Sequence, residues 1–506
     1  MSDESMRIFS GTLYNYITLM FIVLLTAINT IIIANSIGAQ LYGSFSAGKI
    51  LIELLTALCS VGLGFALVRF LPDFLIRKKY SSANTAISTA STVILLSTGV
   101  FTVSFYFAAP FIANVIFQNY WLRPIIELIT VIFPLIGINI LFNWILNGFQ
   151  RFDLSMMMKV VFTCGYFLFV VIFLGLGLGI EGVIYAFAVG YILSNLIGFI
   201  FFIRVKRRKI GKSDEAFKIF DLALFKEMFN FGKWGYGMSS INVGFMRFNE
   251  LIIGIFFIEA ILGIYRIGHA FAAILGYVGL ALAWTLNPYL SELTAIKKEE
   301  RVVNMMKRST KYSLIISLLF SAPMTVFALQ ILELFFSQEF LLGADPLKIL
   351  FIGFIIANVS RPVGSYFFAK KKLWVNFSIL LVSLLTSVSM TVLLIPVFGM
   401  NGLNQTGGMN GAAIGFVLGW IINIILFAFF TRRYFKVNIL DKSSAIWATI
   451  FILGISVLAL LSVIHFELSV LGLVVFEIAL AFKYRDELLN FLKIAQRFLL
   501  PSQKKG

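Results

Sequence analysis

The sequence predicts an all-α polytopic membrane protein of about 14 transmembrane helices, built as two parallel-repeat six-helix lobes plus two C-terminal helices. Three observations carry that prediction. The 506 residues are 60% hydrophobic and 13% charged, with a mean hydropathy of +0.95, more apolar surface than a soluble core can hide. The basic residues gather in alternate loops. One stretch of the chain is written twice.

Fourteen apolar segments can be drawn, over 12–34, 43–69, 84–109, 124–148, 156–176, 182–203, 232–257, 261–287, 310–334, 347–368, 375–397, 411–430, 444–464 and 467–482. Most are about 20 residues or longer, enough to cross a hydrocarbon core as helix. Met1 to Phe9 is too polar and short for a cleaved signal peptide, so the first span is expected both to insert the chain and to stay.

All but six of the 41 Lys and Arg residues lie at the N-terminus, in or at the edges of the even-to-odd loops, or in the C-terminal tail. Examples are Arg77-Lys78-Lys79, Arg204 to Lys212, Lys370-Lys371-Lys372 and Arg432-Arg433. The opposite loops hold only Arg123 and Lys348, and Lys49, Arg247, Arg266 and Arg361 lie within spans. Basic loops stay in the cytoplasm, so both termini are predicted there. The formal charge of +17 then reads as membrane orientation and attraction to anionic headgroups, not as nucleic-acid binding. Cys59 and Cys164 sit in apolar runs and read as packing thiols.

The repeated stretch is NTIIIANSIGAQLYGSFSAG at Asn29–Gly48, answered by NELIIGIFFIEAILGIYRIG at Asn249–Gly268. Under one offset of 220, Asn29 pairs with Asn249, Gly43 with Gly263, Phe45 with Tyr265 and Gly48 with Gly268. The register also carries Arg77-Lys78 onto Lys297-Lys298 and Phe117–Tyr120 onto Ser337–Phe340. Near the lobe ends, Gly182, Phe187 and Gly190-Tyr191-Ile192 are answered by Gly411, Phe416 and Gly419-Trp420-Ile421. An even number of spans per repeat keeps direction, so the lobes are predicted to be parallel repeats, the common build of a transporter. The lobes are expected at 1–203 and 232–436, joined by a linker at 204–231; residues 437–506 hold the two unpaired helices and a basic tail. Phe217, Phe220, Leu224, Phe225 and Met228 fall at helical spacing and suggest a short interfacial helix in the linker.

Loops this short leave no room for a soluble catalytic or nucleotide-binding domain, and no GxxxxGK[ST] is present. Neither a metal nor an organic cofactor is called for: two distant histidines and two distant cysteines give no ligand set. The functional pointers are instead ionisable residues inside spans, which are costly there and face a partner or a cavity. Lys49 and Glu53 lie at i, i+4, and Arg247 and Glu250 at i, i+3. Both sets read either as locking ion pairs or as parts of a cationic cavity for an anionic headgroup. Arg266 and Arg361 have no partner on their own helices, and Arg361 precedes Pro362, where a kink is expected. His269 corresponds to Lys49 in the repeat. It is a candidate protonation switch, histidine being the side chain that changes charge nearest physiological pH. Asn139, Asn143 and Asn147 form a stripe at i, i+4, i+8 whose amides suit either sugar hydroxyls or helix-to-helix glue.

The stretches GTLYNYITLM, IGAQLYGSFSAG, GLGFALVRFLPDF, FDLALFKEMFNFGKWGYGMSS and NPYLSEL stand in the order and spacing of a known family. In them the chain resembles the polysaccharide-transporter branch of the multidrug/oligosaccharidyl-lipid/polysaccharide exporter superfamily. The resemblance implies two lobes around a central cavity lined by spans 1, 2, 7 and 8. It also implies a flippase that moves a polyprenyl-(pyro)phosphate-linked oligosaccharide across the cell membrane, as a monomer, with H+ or Na+ as candidate coupling ion. Lipid II flippases use cavity arginines on spans 1, 2 and 8; here Lys49 and Arg266 lie on spans 2 and 8, but no Arg or Lys lies between Gly11 and Asn35. That departure points toward O-antigen-type or archaeal glycans.

Two further readings stay open. A cation-coupled multidrug antiporter needs an acidic or neutral cavity, whereas four cations here stand against Glu53 and Glu250. A polytopic glycan polymerase or glycosyltransferase needs catalytic residues in a large outer loop, and the largest, near 397–410, is rich in Gly and Asn.

Overall fold

The computed structural model describes residues 3–211, 217–399, 405–440, 442–487 and 489. It contains fifteen α-helices: α1 Asp3–Cys59, α2 Leu63–Ile76, α3 Tyr80–Phe111, α4 Leu122–Gly148, α5 Phe152–Gly175, α6 Gly179–Lys209, α7 Leu222–Phe256, α8 Glu259–Ala295, α9 Glu299–Val326, α10 Ala328–Phe335, α11 Ala344–Ala369, α12 Leu373–Gly399, α13 Gln405–Phe435, α14 Lys442–Ile464 and α15 Phe466–Lys483. The fourteen apolar segments fall on helical chain, the second broken by a turn at 60–62 and the ninth at Phe327. Large apolar side chains such as Phe107, Leu460 and Phe482 stand exposed on these helices, as a lipid-facing surface requires.

Among the described residues ten helical stretches are long and apolar enough to cross a membrane, or eleven if α9 and α10, bent by 70° at their break, form one span. The difference from fourteen has local causes. The first two segments share α1, in which two helical stretches meet at a kink at Gly38. Arg247, Asn249 and Glu250 dilute α7, and Glu467, Glu477 and Lys483 dilute α15. The linker also differs from expectation. Its periodic stretch forms no separate helix; from Leu222 it is the start of α7, capped by the Asp221 carboxylate, which accepts the Leu224 N–H at 3.0 Å. The glycine-rich loop at 400–404 and the linker residues 212–216 lie outside the described residues.

The chain forms two compact units. Unit 1 is Met1–Ile267 with Phe335–Phe340; unit 2 is Gly268–Leu334 with Leu341–Gly506. In unit 1, Leu63, Leu67 and Leu71 pack with Ile94, Ile145 and Phe149. In unit 2, Leu290, Met306, Tyr366, Phe367 and Phe427 form the corresponding centre. The repeat is visible inside each unit. Gly182 lets α6 approach α5 at Phe173, and Gly411 lets α13 approach α12 at Leu394.

Gly38, at φ 75° and ψ 170°, interrupts the hydrogen-bond ladder of α1. The Ala39 N–H beyond the break donates to Glu339 Oε1 at 3.0 Å. Beside it the Asn35 amide donates to the Phe335 carbonyl at 2.8 Å, and its oxygen accepts the Ser337 N–H at 3.0 Å. The 220-residue offset turns this contact into a second one: Asn119 matches Glu339, Glu259 matches Ala39, and Asn119 donates to Glu259 Oε1 at 2.5 Å. Each loop of the repeated pair thus closes the end of a helix from the other copy.

Candidate functional site

The site is made possible by two glycines. Gly43 on α1 and Gly263 on α8, equivalent in the repeat, lie against each other. A Cβ at Gly43 would stand 1.7 Å from the Glu259 carbonyl oxygen, and one at Gly263 2.4 Å from that of Ala39. Only bare backbone permits such a crossing. One turn further on, the same approach brings Arg266 against Ser46, its own repeat equivalent, whose carbonyl accepts from Arg266 Nη1 at 3.4 Å.

Around that contact five of the predicted residues converge within unit 1. Arg247 Nε lies 2.5 Å from Glu53 Oε2, a close ionic contact. Arg247 Nη1 donates to both oxygens of Glu250, at 2.9 and 3.1 Å. Arg266 Nη1 donates to Glu250 Oε2 at 3.1 Å and Nη2 to Glu53 Oε1 at 3.3 Å. The four side chains therefore alternate in charge around a closed ring drawn from α1, α7 and α8. Glu250 is fully buried and Arg266 nearly so. A carboxylate in that position persists only with charged partners.

The ring corrects two expectations. Arg266, which has no partner on its own helix, has two carboxylates from other helices. Lys49 and Glu53 do not form the i, i+4 pair: Glu53 is taken by the two arginines. Among the described residues Lys49 makes no ion pair or hydrogen bond. Its ammonium instead stands over the rings of Phe45 and Phe187, at 5.9 and 5.7 Å. Two carboxylates answer two guanidiniums, and Lys49 is the charge left over.

In unit 2 the other candidates separate. His269 is buried against Phe354 and Phe416, each 5.5 Å away between ring centres. Phe416 is the repeat partner of Phe187, so each unit packs a basic residue of the repeated stretch on a matched phenylalanine. Arg361 donates to the Gly276 carbonyl and, at 3.1 Å, to Asn358 Oδ1. The Asn358 amide in turn donates to the Leu275 carbonyl and to Ser317 Oγ, both at 2.9 Å. No carboxylate lies within ion-pair distance of Arg361 among the described residues. The Asn139 amide is spent on Ser194 Oγ at 2.8 Å and Asn195 Oδ1 at 3.0 Å, while Asn143 bonds back to Asn139 and accepts from Ser155 at 2.7 Å. These amides join α4 to α5 and α6, the glue role. Both cysteines are free thiols.

Sequence reasoning missed Ser46, Asn358 and the ring itself. The 220-residue offset held one signal, since it sets Arg266 on Ser46.

The comparisons with known proteins agree with this architecture. Residues 8–294 match the polysaccharide biosynthesis protein family. The chain belongs to that family. It is thus a multi-pass membrane protein of a polysaccharide-biosynthesis family, as its motifs led one to expect. An uncharacterized membrane protein of Methanocaldococcus jannaschii is 25% identical over 448 residues, 84% of this chain and 83% of that one. A probable low-salt glycan biosynthesis flippase of Haloferax volcanii is 22% identical over 299 residues, 59% of this chain and 58% of that one. Among solved structures, a lipid II flippase in an inward closed conformation aligns with a TM-score of 0.68 at 13% identity, over 94% of this chain and all of that one. An inward-facing multidrug resistance transporter of the MATE family aligns at 0.62 and 15% identity, over 86% of this chain and 95% of the other. At these identities the likeness shows the fold.

Proposed function

We propose that this family member is a flippase that carries a polyprenyl-(pyro)phosphate-linked oligosaccharide between membrane leaflets by alternating access. The observation that carries the reading is Lys49, a half-buried cation without a carboxylate partner among the described residues, beside an Arg–Glu ring that is already neutral. A pyrophosphate would take Lys49 first and then compete with Glu53 and Glu250 for the arginines, loosening the contacts among α1, α7 and α8. Proton or Na+ binding at the two carboxylates would have the same effect, which gives a coupling ion a place to act. Arg361 offers a second guanidinium held only by neutral oxygens. The surplus positive charge disfavours cationic drugs as cargo. Support comes also from the relative named as a probable glycan biosynthesis flippase.

In this reading α1 crosses twice, α9 with α10 once, and the charge-diluted α7 and α15 once each, which restores fourteen crossings with both termini cytoplasmic. The meeting of Gly43 with Gly263, and of Ser46 with Arg266, supports a twofold relation between the repeated stretches, since positions related by a twofold touch only near its axis.

The test uses proteoliposomes loaded with a fluorescent polyprenyl-pyrophosphate oligosaccharide and an impermeant quencher. Protein-dependent leaflet exchange with the glycan intact by mass spectrometry is expected, reduced about tenfold or more by Lys49→Ala if one charge-assisted contact is lost. Exchange that is unchanged in Lys49→Ala and Arg361→Ala removes the headgroup site. A covalently altered glycan, or no exchange, removes the flippase.

A further inference from the structure

The second apolar segment, which carries Lys49 and Glu53, is a broken helix. Helix α1 ends at Cys59 and α2 starts at Leu63, with residues 60–62 turning between them. Val61 stands at φ 45° and Gly62 at φ 76°. Glycine takes that region freely, but a β-branched residue is strained there, and such strain persists only where the surroundings impose it. The repeat does not require the break. The equivalent Leu280, Ala281 and Leu282 lie within α8, which runs unbroken over Glu259–Ala295.

A break inside a span frees the carbonyls of the preceding turn, and hydrocarbon offers them no donor. Here hydroxyls of two neighbouring helices take their place. Ser240 of α7 donates to the Ala57 carbonyl at 3.0 Å, and Tyr236 of α7 to that of Leu58 at 3.1 Å. The Ser97 hydroxyl of α3 lies 2.8 Å from the Cys59 carbonyl and shares its proton with that of Ile94, at 3.0 Å. Beside them Gly232 of α7 touches Gly62: a Cβ on Gly232 would stand 2.1 Å from the Gly62 carbonyl oxygen.

Gly232, Tyr236 and Ser240 recur every four residues, so one face of α7 lines the break. About two turns beyond Ser240 that face reaches Arg247, and about one turn before Ala57 lies Glu53, its ionic partner. All these residues belong to unit 1. The break and the ion ring are therefore two ends of one antiparallel seam between α1 and α7.

We propose that residues 60–62 are a hinge and that the Tyr236, Ser240 and Ser97 hydroxyls are its latch. When Arg247 parts from Glu53 the seam loosens, the α7 hydroxyls leave their carbonyls, and α2 turns about the contact of Gly62 with Gly232. A serine hydroxyl can leave by rotating about one bond, whereas a backbone N–H leaves only with its helix. The hinge does not depend on which cargo the protein carries.

Two measurements on the full-length protein test it. The first is thermal unfolding in detergent of Val61→Gly beside Val61→Ala, both of which lose the valine side chain. At a positive φ the glycine variant is expected to melt higher than the alanine variant. In an unbroken helix the order reverses, because glycine is the poorer helix former, and that order overturns the hinge. The second uses Cys59, fully buried at the end of α1, as reporter in a Cys164→Ala background. Its labelling by N-ethylmaleimide in proteoliposomes should be slow with the seam intact. Tyr236→Phe/Ser240→Ala should label about tenfold faster, having lost two hydrogen bonds of ordinary strength. Arg247→Gln, at the far end of the seam, should quicken labelling as well. Asn139→Leu is the control for general loosening and should leave the rate unchanged. A rate unmoved in Tyr236→Phe/Ser240→Ala or in Arg247→Gln, or raised as much in Asn139→Leu, overturns the latch.

Discussion

Each unit holds arginine inside its helices, but the two units balance it differently. In unit 1, Arg247 and Arg266 are each held by two carboxylates, and the four groups close a ring. In unit 2, Arg361 meets, among the described residues, only neutral oxygens, the Gly276 carbonyl and the Asn358 amide. The repeat sharpens the contrast. Arg247, Glu250 and Arg266 fall on Ala27, Thr30 and Ser46 in the first copy, and Glu53 falls on Ala273 in the second. The ring is therefore one place where the two copies differ on a shared scaffold. A charge balanced by charges locks helices together; a charge balanced by dipoles keeps most of its field for a ligand.

The largest effect expected from breaking this difference is at Glu250. Glu250→Ala leaves two arginines sharing Glu53 in a buried site, and the loss of one partner from a buried pair costs about 3–5 kcal/mol. Thermal unfolding in detergent should show a large fall in Tm. Adding Arg266→Met should restore part of it, because the members of one network do not act additively; a strictly additive double variant would deny the ring. Arg361→Leu should cost less, about 1–3 kcal/mol, from the acceptors it leaves without a donor, and no second substitution at a carboxylate should rescue it. A loss as large as that of Glu250→Ala would erase the contrast between the units.

Smaller effects test the glue. Asn139→Leu removes the amide that joins α4 to α6 and should cost about 0.6–1.7 kcal/mol, the span measured for such bonds in membranes, while leaving exchange of lipid-linked glycan intact. The smallest lies outside the spans. The Leu224 N–H and the Lys218 ammonium hold the Asp221 carboxyl below its usual range. A depressed carboxylate stabilises the fold above its unfolded pKa and loses that contribution as pH falls through the folded value. Protection of the amides over the first turn of α7, measured relative to the intrinsic exchange rate at each pH, should therefore fall in acid in the wild type, and Asp221→Asn should flatten that dependence.

How much of this was legible depends on the range of each signal. The helices and their order follow from apolar runs, and the repeat from identities at one offset. The family follows from motifs spread along the whole chain. The partners were not legible where they lie on another helix. Lys49 and Glu53 share a face at i, i+4, yet Glu53 bonds to arginines almost two hundred residues or more further on, and no local spacing announces that. The hydropathy count of ten or eleven stays below fourteen for a related reason: the residues that build the site, Arg247 and Glu250, dilute α7.

The mirrored loop contacts have a consequence for biogenesis. Unit 1 closes only when Phe335–Phe340 reaches Asn35 and Ala39, so the first 267 residues wait for the next 73 to be made. At a synthesis rate of about 5–20 residues per second, that wait lasts roughly 4–15 seconds. During it Gly38 leaves the Ala39 N–H without its native acceptor, and the half-finished protein offers the insertion machinery an open kink at the end of a span. An assistant that holds newly made membrane helices would find its client in that interval, and a chain released before Phe340 would carry the open end with it.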